Sequence, residues 1–337
     1  MTSALFSIEI QSVLGTLLPF LLMIGLGIFY RLRPAPGFSA ESLRKHIAAV
    51  ALHILFPCMA FRIMAQAPWD WDLLRIPLTS LGGTMGGLLL FWLLQRGIQA
   101  VRGSSLTPKT WAALALASAW GNFTYLGIPL IQARYPDSPE QGIRVALLFD
   151  LFSGTPSLFF WSAVFGALLL ASPEAGLPRK RSVLREAALS LVRMRPLWAA
   201  ILGLMTGELL RLTSLQIPTP VDSTLKLAGT ALPPLMIFAI GLALPRPRWS
   251  HIPKVIPSVL IKLAALPLIA FQVGSALNMD STVLKMSVFE SALPTMALTL
   301  ALSDRYGFDT EALAQSIFLS TLLLPISLSL LGGFGLI

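Results

Sequence analysis

Apolar stretches of about 20 residues, the length that a bilayer core of roughly 30 Å asks of a helix, recur ten times along the chain. They lie near residues 11–30, 45–66, 74–95, 109–133, 144–171, 196–213, 224–245, 252–275, 283–303 and 312–334. Charged residues fall mostly in the connections between them. The pattern predicts an all-α polytopic membrane protein whose partner is the lipid bilayer, because helices satisfy their own backbone groups in hydrocarbon. The first stretch reads as a retained helix rather than a cleaved leader: no Lys or Arg precedes it and no small-residue cleavage site follows.

Composition agrees. Hydrophobic residues make up 55% of the 337 and charged residues 12%, against roughly one-quarter charged in soluble domains. Cys58 is the sole cysteine and there are three histidines, which excludes an intrachain disulfide or a cysteine metal cluster and gives no metal site. His53 and Cys58 read as packing residues. The net charge of +9 would suit nucleic acid, but basic residues placed between apolar runs set membrane orientation instead. No phosphate-binding Gly-Lys-Ser/Thr loop, dinucleotide fingerprint or zinc-protease helix occurs, so ATP-driven pumping and a resident cofactor are not expected. In the third stretch, Gly82, Gly83, Gly86 and Gly87 form a small-residue stripe suited to close helix packing.

The loops then fix a direction. Alternate connections hold 17 Lys and Arg on one side and 7 on the other, with Lys262 left inside a stretch. By the positive-inside rule both termini face outward and the richer side is cytoplasmic. The most basic connection, residues 172–195, carries Arg179, Lys180, Arg181, Arg185, Arg193 and Arg195. It is read as an orientation signal and solvated surface.

That connection also divides the chain in two. Leu55-Phe56-Pro57-Cys58-Met59-Ala60-Phe61 recurs as Leu232-Pro233-Pro234-Leu235-Met236-Ile237-Phe238, and Ser118-Ala119-Trp120-Gly121-Asn122 has a counterpart in Ser291-Ala292-Leu293-Pro294-Thr295. Pro57 to Gly121 spans 64 positions and Pro234 to Pro294 spans 60. Residues 1–171 and 196–337 therefore read as two copies of a five-helix unit, with 172–195 as a cytoplasmic linker. Because five is odd, the second copy enters from the opposite side, giving an inverted repeat of the kind used by secondary transporters.

Within each copy one helix is broken. Gly121-Asn122 and Pro294-Thr295 fall well inside their stretches, and proline removes a backbone donor while glycine relaxes the chain. Unwound backbone at that depth survives inside protein or along a water-filled cavity. The repeat would bring the breaks together, where half-helix N-termini favour an anion and half-helix C-termini and freed carbonyls favour a cation.

Gly121-Asn122-Phe123-Thr124-Tyr125-Leu126-Gly127-Ile128-Pro129-Leu130 resembles the fourth-helix motif of the auxin efflux carrier family, an Asn at the break followed by a Gly-hydrophobic-Pro-Leu run. Leu55-Phe56-Pro57, Leu232-Pro233-Pro234-Leu235, Ser291-Ala292-Leu293-Pro294 and the later Asp304-Arg305-Tyr306 are similar to it too. The resemblance covers nearly the whole chain, with a short central loop like that of prokaryotic members, and implies the bacterial inner membrane. It implies a bile-acid-symporter-like fold: a scaffold from spans 1, 2, 6 and 7, a face suited to a homodimer, and a transport domain from spans 3 to 5 and 8 to 10. Spans 4 and 9 would cross at their breaks and carry a small organic anion, a carboxylate, by elevator-type alternating access. Asn122 would contact substrate, with Gly121 and Thr124 beside it in the motif, and Pro294 and Thr295 would be their counterparts. Gly121 stands where plant carriers have Pro. Pro57 and Pro234 are structural.

An ionisable residue at depth costs several kcal/mol by most scales and faces protein or water, and there are three clear cases, Asp150, Lys262 and Glu290. Glu290 lies four residues before Pro294, where related sodium-coupled symporters look similar. With Ser291 it is the candidate ion-coupling site, for Na+ or H+, the other reading being a side chain that reaches the outer interface. Asp150 lies near a fifth-helix position that lines the site in plant carriers, and is a candidate for substrate binding and coupling. Lys262 is either a counter-ion to Asp150 or Glu290 or an attractor for a carboxylate. A secondary carrier explains inversion, paired breaks and buried charges together. The rivals are an intramembrane enzyme using Asp150 and Glu290 as acid and base, for which no nucleophile–base pair appears, and a passive channel or receptor.

Overall fold

A computed structural model describes residues 2–35, 37, 39–103, 105–171, 183–244 and 247–337. Among them the secondary structure is helical throughout. The helices are α1 (Thr2–Leu32), α2 (Ala40–Gln66), α3 (Asp72–Arg102), α4 (Pro108–Ala119), α5 (Ile128–Arg134), α6 (Pro139–Leu169), α7 (Val183–Val192), α8 (Arg195–Thr213), α9 (Thr219–Ala243), α10 (Trp249–Ala276), α11 (Ser281–Ser291), α12 (Leu298–Tyr306) and α13 (Thr310–Gly333).

Six of these, α2, α3, α6, α9, α10 and α13, are long and apolar enough to cross a membrane, and α7 with α8 makes a seventh if that bent pair is one span. The protein is thus polytopic. The stretches read near 109–133 and 283–303 fall short of this length for a physical reason. Each is cut at its break, into α4 and α5 of 12 and 7 residues and into α11 and α12 of 11 and 9. The first stretch lies within α1, which includes the apolar segment Leu17–Leu32. Residues 172–182 of the basic connection lie outside the described residues, and its later part forms α7.

Inside and outside are reversed relative to a soluble protein. Leu18, Leu22, Leu26 and Phe29 on α1 and Leu202, Met205 and Leu209 on α8 are exposed, while Asp150, Lys262, Glu290 and Gln315 are buried. Large apolar faces turned outward suit lipid, and ionisable groups turned inward avoid it.

α2 packs along α8 and α9, and α1 lies against α9 and α13. The α2–α8 approach is close because Gly203 and Gly207 of α8 face the carbonyls of Phe61 and Ala65, where a β-carbon would collide. α3 packs on α10, α4 and α6, and α13 closes over α4 and α10. The small-residue stripe of α3 receives Leu266, Ile269 and Val273 of α10.

Four helical turns widen to π geometry: Ala51–Leu55, Phe123–Gly127, Asp150–Gly154 and Ile261–Ala265. Each is followed two residues later by proline, Pro57, Pro129, Pro156 and Pro267. Proline has no N–H and its ring presses on the carbonyl one turn back, and widening the turn relieves that contact. Pro234, the repeat partner of Pro57, stays within the α-helical α9 beside Pro233. Three of the four π turns hold a candidate site residue: Thr124, Asp150 or Lys262.

Candidate functional site

The two broken helices meet. Gly121 and Thr295 form an antiparallel bridge, in which the Asn122 amide donates to the Pro294 carbonyl at 2.8 Å and the Met296 amide to the Trp120 carbonyl at 3.0 Å. Backbone groups freed by one break are thus taken up by the other, which lets unwound chain lie deep in an apolar body. Side chains complete the junction. The Thr295 hydroxyl donates to the Ala117 carbonyl at 2.9 Å, and the Thr295 amide to Ser320 Oγ at 3.1 Å. The Trp120 indole donates to the Gly154 carbonyl at 3.0 Å.

The candidate residues separate into two groups. Asn122, Thr124 and Asp150 line a cavity of about 200 Å³ beside the crossing, with Met296 contributed by the second break. Asn122 is 4% exposed, and its Oδ1 has no hydrogen-bond partner among the described residues. Asp150, also buried, receives the Thr155 hydroxyl at 2.6 Å and the Thr124 hydroxyl as well. Its π turn aims the carboxylate at both hydroxyls.

Gly121, Lys262, Glu290 and Ser291 form the second group and are not among the residues lining that cavity. Lys262 has no exposed surface, and its ammonium donates to the Ser291 carbonyl at 2.6 Å while lying 5.8 Å from the centre of the Phe123 ring. Gly121 sits against the same two groups: a β-carbon there would lie 3.0 Å from Lys262 Nζ and 2.5 Å from the Phe123 ring. Glu290 is fully buried, with neither carboxylate oxygen hydrogen-bonded among the described residues. It therefore does not reach an interface. Its carboxylate rests on Gly127 of the fourth-helix motif, where a β-carbon would come within 2.5 and 2.8 Å of the two oxygens. Lys262 makes no ion pair within 4 Å with Asp150 or Glu290: its hydrogen bond goes to backbone, and its charge meets that of Glu290 through space. Phe123 touches both groups, since a β-carbon at Gly154 would lie 2.9 Å from its ring and 3.2 Å from Asp150 Oδ1. Pro294 contributes its carbonyl to the bridge, and Pro57 and Pro234 lie in α2 and α9, outside both groups. No group of three or more His, Cys, Asp or Glu gathers for a metal among the described residues.

Larger cavities of about 440 and 570 Å³ lie elsewhere, and both are lined by acids as well as bases, Glu140 and Arg62 in one and Asp222 and Arg211 in the other. The smaller one is of more interest because it reaches the crossing and the unpaired Asn122 oxygen.

A family model described as "Membrane transport protein" matches residues 12–331. The chain belongs to that family. The resemblance to auxin efflux carriers drawn from residues 121–130 is accordingly borne out. The chain is similar to the uncharacterized transporter YfdV of Escherichia coli, 24% identical over 311 residues that cover 92% of this chain and 93% of that one. It is similar as well to the uncharacterized transporter MJ1031 of Methanocaldococcus jannaschii, 23% identical over 295 residues, 85% and 87% of the two chains. The protein is an integral membrane transport protein, and these relatives are named as transporters rather than enzymes.

Sequence reasoning passed over part of the cavity wall. His53, whose place in the sequence suggests packing, lines the cavity, as do Tyr125, Thr155, Phe159, Arg193 and Arg195. Thr155 carried a readable signal, a hydroxyl five residues after an intramembrane acid and just before proline. The two arginines carried none, because their place depends on how α7 turns into α8.

Proposed function

We propose that the protein is a secondary transporter of a small organic anion, a carboxylate, held in the cavity at the crossing and moved by elevator-type alternating access. The observation that carries this reading is the bridge between Gly121 and Thr295 with a cavity beside it on whose wall the Asn122 side chain stands. Irregular backbone at membrane depth is retained where it builds a site, and the amide N–H groups of Asn122 are donors from which a carboxylate accepts.

In this reading residues 1–171 and 196–337 are inverted five-helix repeats giving ten spans. α1, α2, α8 and α9 form the scaffold, a surface for a homodimer, and the remaining spans form the moving domain. The protein lies in the bacterial inner membrane with both termini outside and the linker cytoplasmic. Glu290, buried beside Ser291, takes up a coupling cation, H+ or Na+. Its two unpartnered oxygens support that role, and the Lys262 ammonium on the Ser291 carbonyl leaves that carbonyl already engaged.

The test is thermal unfolding of purified protein against mono- and dicarboxylates, with and without sodium. A ligand that binds the folded state raises the midpoint in proportion to its saturation. At least one carboxylate should stabilise the protein and lose that effect in Asn122→Ala. No shift with any of them would sink the organic-anion reading.

A further inference from the structure

The cavity at the crossing carries two cations that the proposed function leaves without a task. Resting on the reading of that cavity as the organic-anion site, we infer that Arg193 and Arg195 receive the substrate carboxylate at its mouth and select a small monocarboxylate with an apolar body.

α7 ends at Val192 and α8 begins at Arg195, with a bend of 53° between them. The corner is braced. The Arg193 amide donates to the Leu189 carbonyl at 3.1 Å, the Met194 amide to Leu191 at 3.0 Å, and the Trp198 indole to Val192 at 2.7 Å. Met194 is extended between the arginines, and all three residues line the cavity that holds Asn122 and Asp150. Neither guanidinium has an ion-pair or hydrogen-bond partner among the described residues.

Exposed arginines are ordinarily solvated surface, and a positive linker ordinarily sets orientation. Three further observations single this pair out. Asn122 stands on the same wall, and its amide N–H groups are donors from which a carboxylate accepts. The one acid on that wall, Asp150, is already engaged by the hydroxyls of Thr124 and Thr155, so it is not the partner of either arginine. The rest of the wall is largely apolar, with Leu52, Phe56, Leu151, Phe159 and Leu298.

A guanidinium presents paired N–H donors that match a carboxylate. A second carboxylate on the same ligand would face apolar side chains or Asp150 and lose its hydration without a partner. The volume, about 200 Å³, lies below the roughly 300–1,000 Å³ of sites for drug-sized ligands. A short acid with a hydrocarbon body fits these limits.

The experiment measures binding by isothermal titration to detergent-solubilised protein, using 3-methylbutanoate, its uncharged amide and malonate. Wild type should bind 3-methylbutanoate in preference to both others. Arg193→Gln and Arg195→Gln should each weaken it roughly tenfold or more, the loss expected for a charge-assisted hydrogen bond. The corresponding Lys variants should recover part of the loss. Gln variants that bind with wild-type affinity would reduce the pair to an orientation signal, since solubilised protein has no orientation to lose, and would overturn the inference. A preference for malonate overturns it too but leaves the organic-anion reading standing, whereas binding of neither acid removes both.

Discussion

The ammonium of Lys262 donates to the carbonyl of Ser291 at 2.6 Å and so caps the half-helix α11 at the end that carries Glu290. A cation at a helix C-terminus meets the negative end of the macrodipole, and here it also lies within electrostatic range of a carboxylate that has no hydrogen bonds of its own. Removing the cation leaves Glu290 buried among groups that cannot stabilise its charge. Lys262→Met should therefore destabilise the protein by about 3 kcal/mol, the scale of breaking a buried charge arrangement from one side. Adding Glu290→Gln should return a good part of that loss. Thermal unfolding in detergent of the two single variants and the double variant gives the coupling directly, on the order of 1–3 kcal/mol. Strictly additive effects would show that the two charges do not sense each other.

Asn122 and Thr295 occupy equivalent places in the two breaks, yet the structure gives them different tasks. The Thr295 hydroxyl is committed to the Ala117 carbonyl, while the Asn122 side chain lines the cavity, where its amide N–H groups can donate to a carboxylate. Asn122→Ala should thus weaken carboxylate binding by roughly 1.5–3 kcal/mol, as for a hydrogen bond to a charged group, with little change in unfolding temperature. Thr295→Ala should do the reverse, costing about 1 kcal/mol of stability. Titration of ligand alongside thermal unfolding separates them, and equal losses of affinity would return Thr295 to the binding wall.

Much of this site could be read from the chain because its parts are local. Gly121, Asn122 and Pro294 announce a broken helix through backbone chemistry alone, and Asp150, Lys262 and Glu290 announce themselves by being ionisable within apolar stretches. The partition of these residues was not legible. Whether Lys262 faces an acid or a carbonyl depends on the π turn at Ile261–Ala265 and on how α10 meets α11. The same limit hid the span lengths of the broken helices, whose apolar pattern runs on past the break while the helix does not. Arg62 shows it most plainly: its partners Glu140 and Asp222 are 78 and 160 residues away, and no periodicity connects them.

That arginine bears on movement. From α2 its guanidinium donates to Glu140 on α6 at 2.7 Å and to Asp222 on α9 at 2.7 and 3.2 Å. In the proposed elevator the second contact lies within the scaffold, whereas the first spans the boundary and must part as the domains slide. Glu140 is half-exposed, so the link contributes no more than about 1 kcal/mol, equivalent to roughly a fivefold change in rate. Glu140→Gln should accelerate substrate exchange in proteoliposomes by about two- to fivefold, while Asp222→Asn leaves the rate nearer wild type. An unchanged rate in Glu140→Gln, or a larger effect in Asp222→Asn, would place the moving boundary elsewhere.

Glu290 tests the coupling half of the proposal. It sits at the end of α11, its carboxylate lodged against Gly127 of the other broken helix, so any rearrangement of the crossing changes what surrounds it. A cation shifts a conformational equilibrium only by its difference in affinity for the two states. Neutralising the carboxylate removes most of that difference for H+ and Na+ alike. Exchange requires only that the substrate-loaded protein move, and Asn122, Thr124 and Asp150 line the cavity proposed for the substrate, whose wall does not include Glu290. Glu290→Gln should accordingly lose ion-driven accumulation in proteoliposomes by tenfold or more, the factor that about 1.4 kcal/mol of lost coupling implies, while counterflow exchange stays within a few-fold of wild type. Running the assay under a sodium gradient and a proton gradient separately identifies the cation. Normal accumulation under both would show that Glu290 is a buried structural acid and would move the coupling role to Asp150, whose bonds to Thr124 and Thr155 would then have to break and re-form in each cycle.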